Sequence, residues 1–306
     1  MCSVRCCRLR AVTRPARTDH TIRPATPERR VIFVTTDRRV LVHPDRATLA
    51  GAVAARFLTK LIDLIDDEGR AHVVLTGGSV GIDVLAAIAH SPGRDSVDWS
   101  AVHLWWGDER WLPQGDPERN ETQARAALID QLPIPEQNVH PFAASDDGLT
   151  LQEAAERYDG ELRAHGQGAD YPTFAITFLG VGPDGHVASL FPDREGPRVT
   201  RAGVIAVPDS PKPPAGRLSL TLPLLRRSER IWLVLAGADK APALGLALAG
   251  ASSTDVPAAG ALGTKRTVFF VDQAAAADVP EALTAPTSYW TGAMDKPEWQ
   301  PAQEGA

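Results

Sequence analysis

The chain has 306 residues, 43% of them hydrophobic, with a formal net charge of −6 and a pI near 5.8. That is enough apolar material to bury a substantial core, and the acidic balance argues against a nucleic-acid surface, which needs clustered Lys and Arg. No long uninterrupted apolar run occurs, so no membrane span is expected.

Residues 1–28 differ in character from the rest. They carry Arg5, Arg8, Arg10, Arg14 and Arg17, with no acid before Asp19, and lack the apolar segment of a secretory signal. They read as a disordered extension rather than a transit-like or nucleic-acid-binding arm. Cys2, Cys6 and Cys7 all lie here, far in sequence from any His or Cys that would complete a zinc site. The body is therefore expected to hold neither disulfide nor metal, which suits a reducing cytoplasm.

From Val31 short β-rich runs alternate with helical patterns. "VIFVT" and "RRVLVH" read as strands; Asp45 then opens a helix with Leu49, Val53, Phe57, Leu61 and Leu64 on one side, ended by Gly69. "AHVVLT" is a buried strand, and "GGSVGIDVLAAIAH" turns into a helix. Further strands are expected at 101–108, 174–180, 203–208, 217–223, 231–237 and 267–272, with helices at 118–132, 150–165 and 240–249. This rhythm predicts an α/β fold with a mostly parallel, doubly wound sheet in a single main domain over 29–280. Residues 281–306, rich in proline, read as a loose tail.

Ligands of such sheets bind just beyond the carboxyl ends of the strands, so the chemistry is sought there. "TGGSVG" follows one strand and opens a helix; its backbone N–H groups suit an anion, with Ser79 adding a hydroxyl. It lacks the Lys-Ser/Thr ending of a nucleoside triphosphate loop. The same residues match GxSxG, the nucleophile elbow of α/β-hydrolases, but the last histidine, His186, comes too early for that scheme, and too few strands precede the turn. A purely structural tight turn is the plain alternative. "WGDERWLP" sets Asp108, Glu109 and Arg110 at the end of an apolar strand, where charges face a cleft or pair with one another.

"FLGVGPDGHVASLFP" contains Gly180, Gly182 and Gly185 at dinucleotide-fingerprint spacing. Pro192 leaves room for only a turn or two of helix after them, which opposes nucleotide binding. The glycines then serve to fold the chain tightly around Asp184 and His186. A histidine fixed by a carboxylate can take a proton from water, although one that merely caps a short helix is equally common.

Together "LTGGSVGI", "HLWWGDERWLP", "ERNETQARAALI", "LGVGPDGHVASLFP", "SPKPPAGRLSLTLP" and "WLVLAGADKAPAL" resemble the 6-phosphogluconolactonase family, in the same order and over roughly residues 31–272. The resemblance implies a NagB/RpiA-like fold and hydrolysis of 6-phospho-D-glucono-1,5-lactone to 6-phosphogluconate in the pentose phosphate pathway. It implies His186 as general base, Asp184 as the group that orients it, and Arg110 as the candidate for the oxyanion or the phosphate. Gly77, Gly78, Ser79, Lys212, Arg217 and Lys240 become phosphate candidates, and Asp108 and Asn120 stand on the substrate side. The chemistry requires no cofactor, and no metal ligand set is visible; the partner is a small sugar-phosphate lactone. The related glucosamine-6-phosphate deaminases share the turn but continue it with Phe-Asn-Glu-Pro and carry Asp-Glu-Tyr where this chain has "DER", so they are the alternative, as is a non-catalytic sugar-phosphate sensor.

Overall fold

Strand β1 (Asp37–His43) runs into α1 (Arg46–Glu68), and single residues set both ends of that helix. The Asp45 carboxylate accepts the Thr48 backbone N–H at 2.8 Å, a cap that contributes about 1 kcal/mol. Gly69, at φ 75°, closes the helix by donating its N–H to the Ile65 carbonyl. Leu49, Val53, Phe57, Leu61 and Leu64 are all buried, on the face their spacing predicts.

The computed structural model describes residues 37–280 and Leu283. The expected strand at 31–35, the Arg-rich extension with its three cysteines, and the tail apart from Leu283 lie outside the described residues. After α1 come β2 (Ala71–Leu75), α2 (Ser79–His90), β3 (Val102–Trp106), β4 (Asp108–Arg110), α3 (Asn120–Ala127), α4 (Leu151–Ala164) and β5 (Phe174–Gly180). The second half holds β6 (Val204–Val207), β7 (Arg217–Leu220), α5 (Leu222–Leu225), β8 (Arg230–Leu235), α6 (Ala241–Leu248), α7 (Pro257–Gly260), β9 (Arg266–Asp272) and α8 (Gln273–Ala276).

Six strands form one sheet in the order β1-β9-β8-β5-β2-β3, every pair parallel. All of β2 and the first six residues of β5 are buried, as strands covered on both faces must be. Trp105 and Trp106 on β3 are fully buried; side chains of this kind each bring roughly 1.5–3 kcal/mol or more of transfer free energy. No helix among the described residues is long and apolar enough to cross a membrane.

Three sequence-based expectations need correction. The strand expected at 101–108 is two strands, because Gly107 leaves the main sheet: its N–H donates to the Leu75 carbonyl and its own carbonyl accepts from Leu220. Beyond it β4 joins β7 and β6 in a separate antiparallel sheet of order β4-β7-β6, so the runs at 203–208 and 217–223 pair with each other and not with the parallel sheet. The helix expected over 118–132 spans only Asn120–Ala127; Leu128, at φ −147° and ψ −55°, breaks it before a 3-10 turn at Ile129–Gln131.

Candidate active site

From β2 the chain crosses to β3 on one side, whereas β5 pairs on the other, so the connections diverge between β2 and β5. Divergence of this kind opens a crevice at the carboxyl ends of the strands. A cavity of 280 Å³ lies there, lined by the loops that follow β2, β5 and β8 and by residues of the antiparallel sheet.

The β2 loop supplies Gly77, Gly78 and Ser79 to this cavity. Gly78 precedes α2 at φ 80°, a conformation that L side chains rarely adopt, and no side chain caps the helix. The first N–H groups of α2 thus have no partner within the helix and border the cavity with the positive end of the helix dipole. A Cβ at Gly77 would lie 1.9 Å from Asn120 Oδ1, so the Asn120 amide rests directly on the glycine backbone. That amide donates to the Asp108 carbonyl at 2.9 Å, which ties α3 to β4. Ser79 is the first residue of α2 and lacks the positive φ of a nucleophile elbow.

The β5 loop carries the pair noted in the sequence. His186 Nδ1 and Asp184 Oδ1 are 2.5 Å apart. A Cβ at Gly182 would lie 2.0 Å from His186 Nδ1 and 2.3 Å from Asp184 Oδ1, so this glycine exists for the pair. No helix follows Gly185; Val187 instead bridges back to Val181 and to Leu190, which excludes a dinucleotide fingerprint. Ala188 holds φ 49°, strained for alanine, within the same tight loop. The Phe191 ring lies against the imidazole at 4.6 Å between centroids and walls one side of it.

Burial opposes the charge on Asp184, but the His186 hydrogen bond and the charges of His186 and Lys212 outweigh it and hold the carboxyl below the usual range. Asp184 is then a carboxylate, which places the His186 proton on Nδ1 and leaves the lone pair on Nε2. Lys212 Nζ stands 3.3 Å from that Nδ1 and 3.6 Å from Asp184 Oδ1. With the Nδ1 proton committed to Asp184, the ammonium's partner is the carboxylate.

Arg110, Lys212, Arg217 and Lys240 all border the cavity, a local positive wall in an acidic protein. Arg110 donates to the Glu118 carbonyl at 2.5 Å. The Arg217 guanidinium donates to the carbonyls of Pro214 at 3.0 Å and Pro213 at 2.8 Å, bracing the proline loop that carries Lys212. Lys240 precedes α6 and pairs with Asp239 at 3.0 Å. The lining carboxylate, Asp108, accepts the Ser189 hydroxyl at 2.7 Å and so joins β4 to the loop that holds His186.

A family model described as glucosamine-6-phosphate isomerases/6-phosphogluconolactonase matches residues 44–270. The chain belongs to this family. Within it, a 6-phosphogluconolactonase of Streptomyces coelicolor is 50% identical over 255 residues, covering 82% of this chain and 98% of the relative. A 6-phosphogluconolactonase of Mycobacterium tuberculosis is 43% identical, covering 78% and 97%. The crystal structure of a 6-phosphogluconolactonase from Thermotoga maritima matches with a TM-score of 0.68 at 28% identity, covering 77% of this chain and all of that one.

Of the residues that the sequence singled out, Gly77, Gly78, Ser79, Asp108, Arg110, Asn120, His186, Lys212, Arg217 and Lys240 border the cavity, and Asp184 stands behind His186. Sequence reasoning missed the support beneath them. Glu109, fully buried, accepts the backbone N–H groups of Asn120 at 2.7 Å and Glu121 at 2.9 Å, capping α3. Thr76 Oγ1 accepts the Gly180 N–H at 3.2 Å and locks the β2 and β5 loops together. Charged residues ending an apolar strand were a signal for Glu109; Thr76 gave none.

Proposed function

We propose that this chain hydrolyses 6-phospho-D-glucono-1,5-lactone to 6-phospho-D-gluconate, within the oxidative pentose phosphate pathway. The observation that carries the reading is a carboxylate-bound histidine sharing one small cavity with four cationic side chains and an uncapped helix N-terminus. Water at His186 Nε2 loses a proton as its oxygen attacks the lactone carbonyl carbon. The tetrahedral intermediate collapses by breaking the bond from that carbon to the ring oxygen, which takes the proton back from Nε2. Asp184 stabilises the imidazolium between these steps.

The oxyanion needs a fixed positive group. The sequence suggested Arg110; the approach of Lys212 to His186 favours Lys212 at the reacting end and leaves Arg110, Arg217, Lys240 and the first turn of α2 for the phosphate. No cofactor enters these steps, and a cytoplasmic setting goes with the reading. The test is lactone hydrolysis followed against the uncatalysed background; a rate no faster than that background defeats the proposal.

A further inference from the structure

At the opposite, amino edge of the sheet four histidines converge. His72 on β2 and His103 on β3 are directly paired in register, His140 lies on the chain that bridges to β3 at Leu104 and Val139, and His165 ends α4. His103, His140 and His165 each present a ring nitrogen, and these atoms all lie within 4.8 Å of one another. His103 Nδ1 and His140 Nε2 are 3.0 Å apart.

Glu161 on α4 holds two of the three rings. Its carboxylate is 2.7 Å from His140 Nδ1 and its backbone carbonyl 2.9 Å from His165 Nδ1. Both acceptors fix the proton on Nδ1 and so turn the Nε2 lone pairs of His140 and His165 inward. An oxygen acceptor behind each imidazole is the arrangement that orients and strengthens histidine metal ligands. Trp105 lies flat on His140, with centroids 3.8 Å apart and planes 7° from parallel, and fixes that ring further. His72 is outside the set, because its Nδ1 accepts the Trp105 indole N–H at 3.0 Å and its proton is therefore on Nε2.

We propose that His103, His140 and His165 bind one divalent transition-metal ion of the zinc class, with water in the fourth position. Three neutral imidazoles and an open position suit such an ion. Water reaches it from a cavity of 390 Å³ bordered by His165 and His72. On binding, the proton that His103 shares with His140 moves to His103 Nε2, so no net charge need leave the protein. The ion would clasp β3, the segment before α4 and the end of α4, a strand's length from the catalytic cleft.

The test uses the full chain with Cys2, Cys6 and Cys7 alkylated, so that thiolates do not compete. Titration with Co²⁺ should give one equivalent with the visible spectrum of a tetrahedral nitrogen and oxygen site, displaced by Zn²⁺, and Zn²⁺ should raise the melting temperature. His103→Asn and His165→Asn should lose that equivalent, Glu161→Gln should weaken it roughly 10- to 100-fold, and His186→Ala should keep it. The melting temperatures of the metal-free variants report whether each folds, and chelator should leave lactone turnover of the wild type unchanged. A wild-type protein that takes up no cobalt, or folded His103→Asn and His165→Asn proteins that retain it, would overturn the assignment, as would its loss in His186→Ala.

Discussion

Arg110 and Arg217 stand directly opposite each other across the antiparallel β4–β7 pair. Like charges in that position oppose pairing, and burial together with the Arg110 charge lowers the Arg217 pKa, although Asp108 pulls it up. An anion bound between the two guanidinium groups relieves the repulsion. 6-Phosphogluconate should therefore raise the melting temperature of the wild type, and Arg110→Gln should bind it roughly ten- to two-hundred-fold more weakly. Calorimetry decides the matter; undiminished product binding in Arg110→Gln would remove Arg110 from the phosphate site.

His186→Ala should lower kcat by roughly 10²-fold or more, the ordinary scale for a general base. Asp184→Asn should lower kcat by a smaller factor with little change in KM, because it releases the tautomer without touching substrate. Near-normal turnover in folded His186→Ala protein would take the imidazole out of the mechanism.

Gly182→Ala should separate chemistry from folding. The added methyl collides with the imidazole and the Asp184 carboxylate, both side chains that can swing aside, so the fold survives while the pair is displaced. Turnover should fall about 10²-fold at nearly unchanged melting temperature. At Gly180 a methyl would meet nothing closer than 3.7 Å, and Gly180→Ala should stay within a few-fold of the wild type. Equal activity of the two variants contradicts this account of Gly182.

Ser79→Ala should lose roughly ten- to two-hundred-fold in kcat/KM, the value of one hydrogen bond to a charged group. The loss should shrink for a lactone without the 6-phosphate, and a fluorophosphonate should leave Ser79 unlabelled. Labelling, or equal collapse with both lactones, would make Ser79 a nucleophile instead.

Burial pushes the Glu109 carboxyl up to about 7, against the pull of Arg119 and of the N–H groups of Asn120, Glu121 and Arg110. The folded protein then holds this proton more tightly than the unfolded chain, whose value is about 4.3. The resulting stability is complete below about pH 4.3 and is lost as pH rises through 7. Relative to Glu109→Gln, the wild type should lose stability between about pH 4.5 and 7, at most about 1.4 kcal/mol per pH unit, with no further change above. Parallel profiles in denaturant titrations would show that Glu109 is ionised throughout.

Features decided within a few residues were legible in the sequence, and those decided by distant partners were not. α1 could be drawn from Asp45, its apolar spacing and Gly69 because three local signals agreed. The run 101–108 concealed a change of sheet, since alternation along a strand does not name the strand it pairs with. Asp108, Arg110, Asp184 and His186 were readable as polar groups at strand ends, whereas Asn120, Lys212 and Arg217 came only with the family resemblance. The meeting of Lys212 with His186 and Asp184 was not readable, because 26 residues separate it from the imidazole and Arg217 braces its loop only in the folded chain. His103, His140 and His165 have no recurring interval and gather only when β3 and α4 are in place.

The parallel pairing of β1 with β9, from Asp37 beside Arg266 to His43 beside Asp272, ties the start of the described chain to its end. A ribosome delivering residues N-terminal first releases β1 long before its sheet neighbour exists. During that interval β1, an edge strand even in the finished sheet, has no hydrogen-bonded neighbour at all. A chain halted between Lys240 and Arg266 would therefore carry every residue that borders the cleft and still leave β1 without its partner strand.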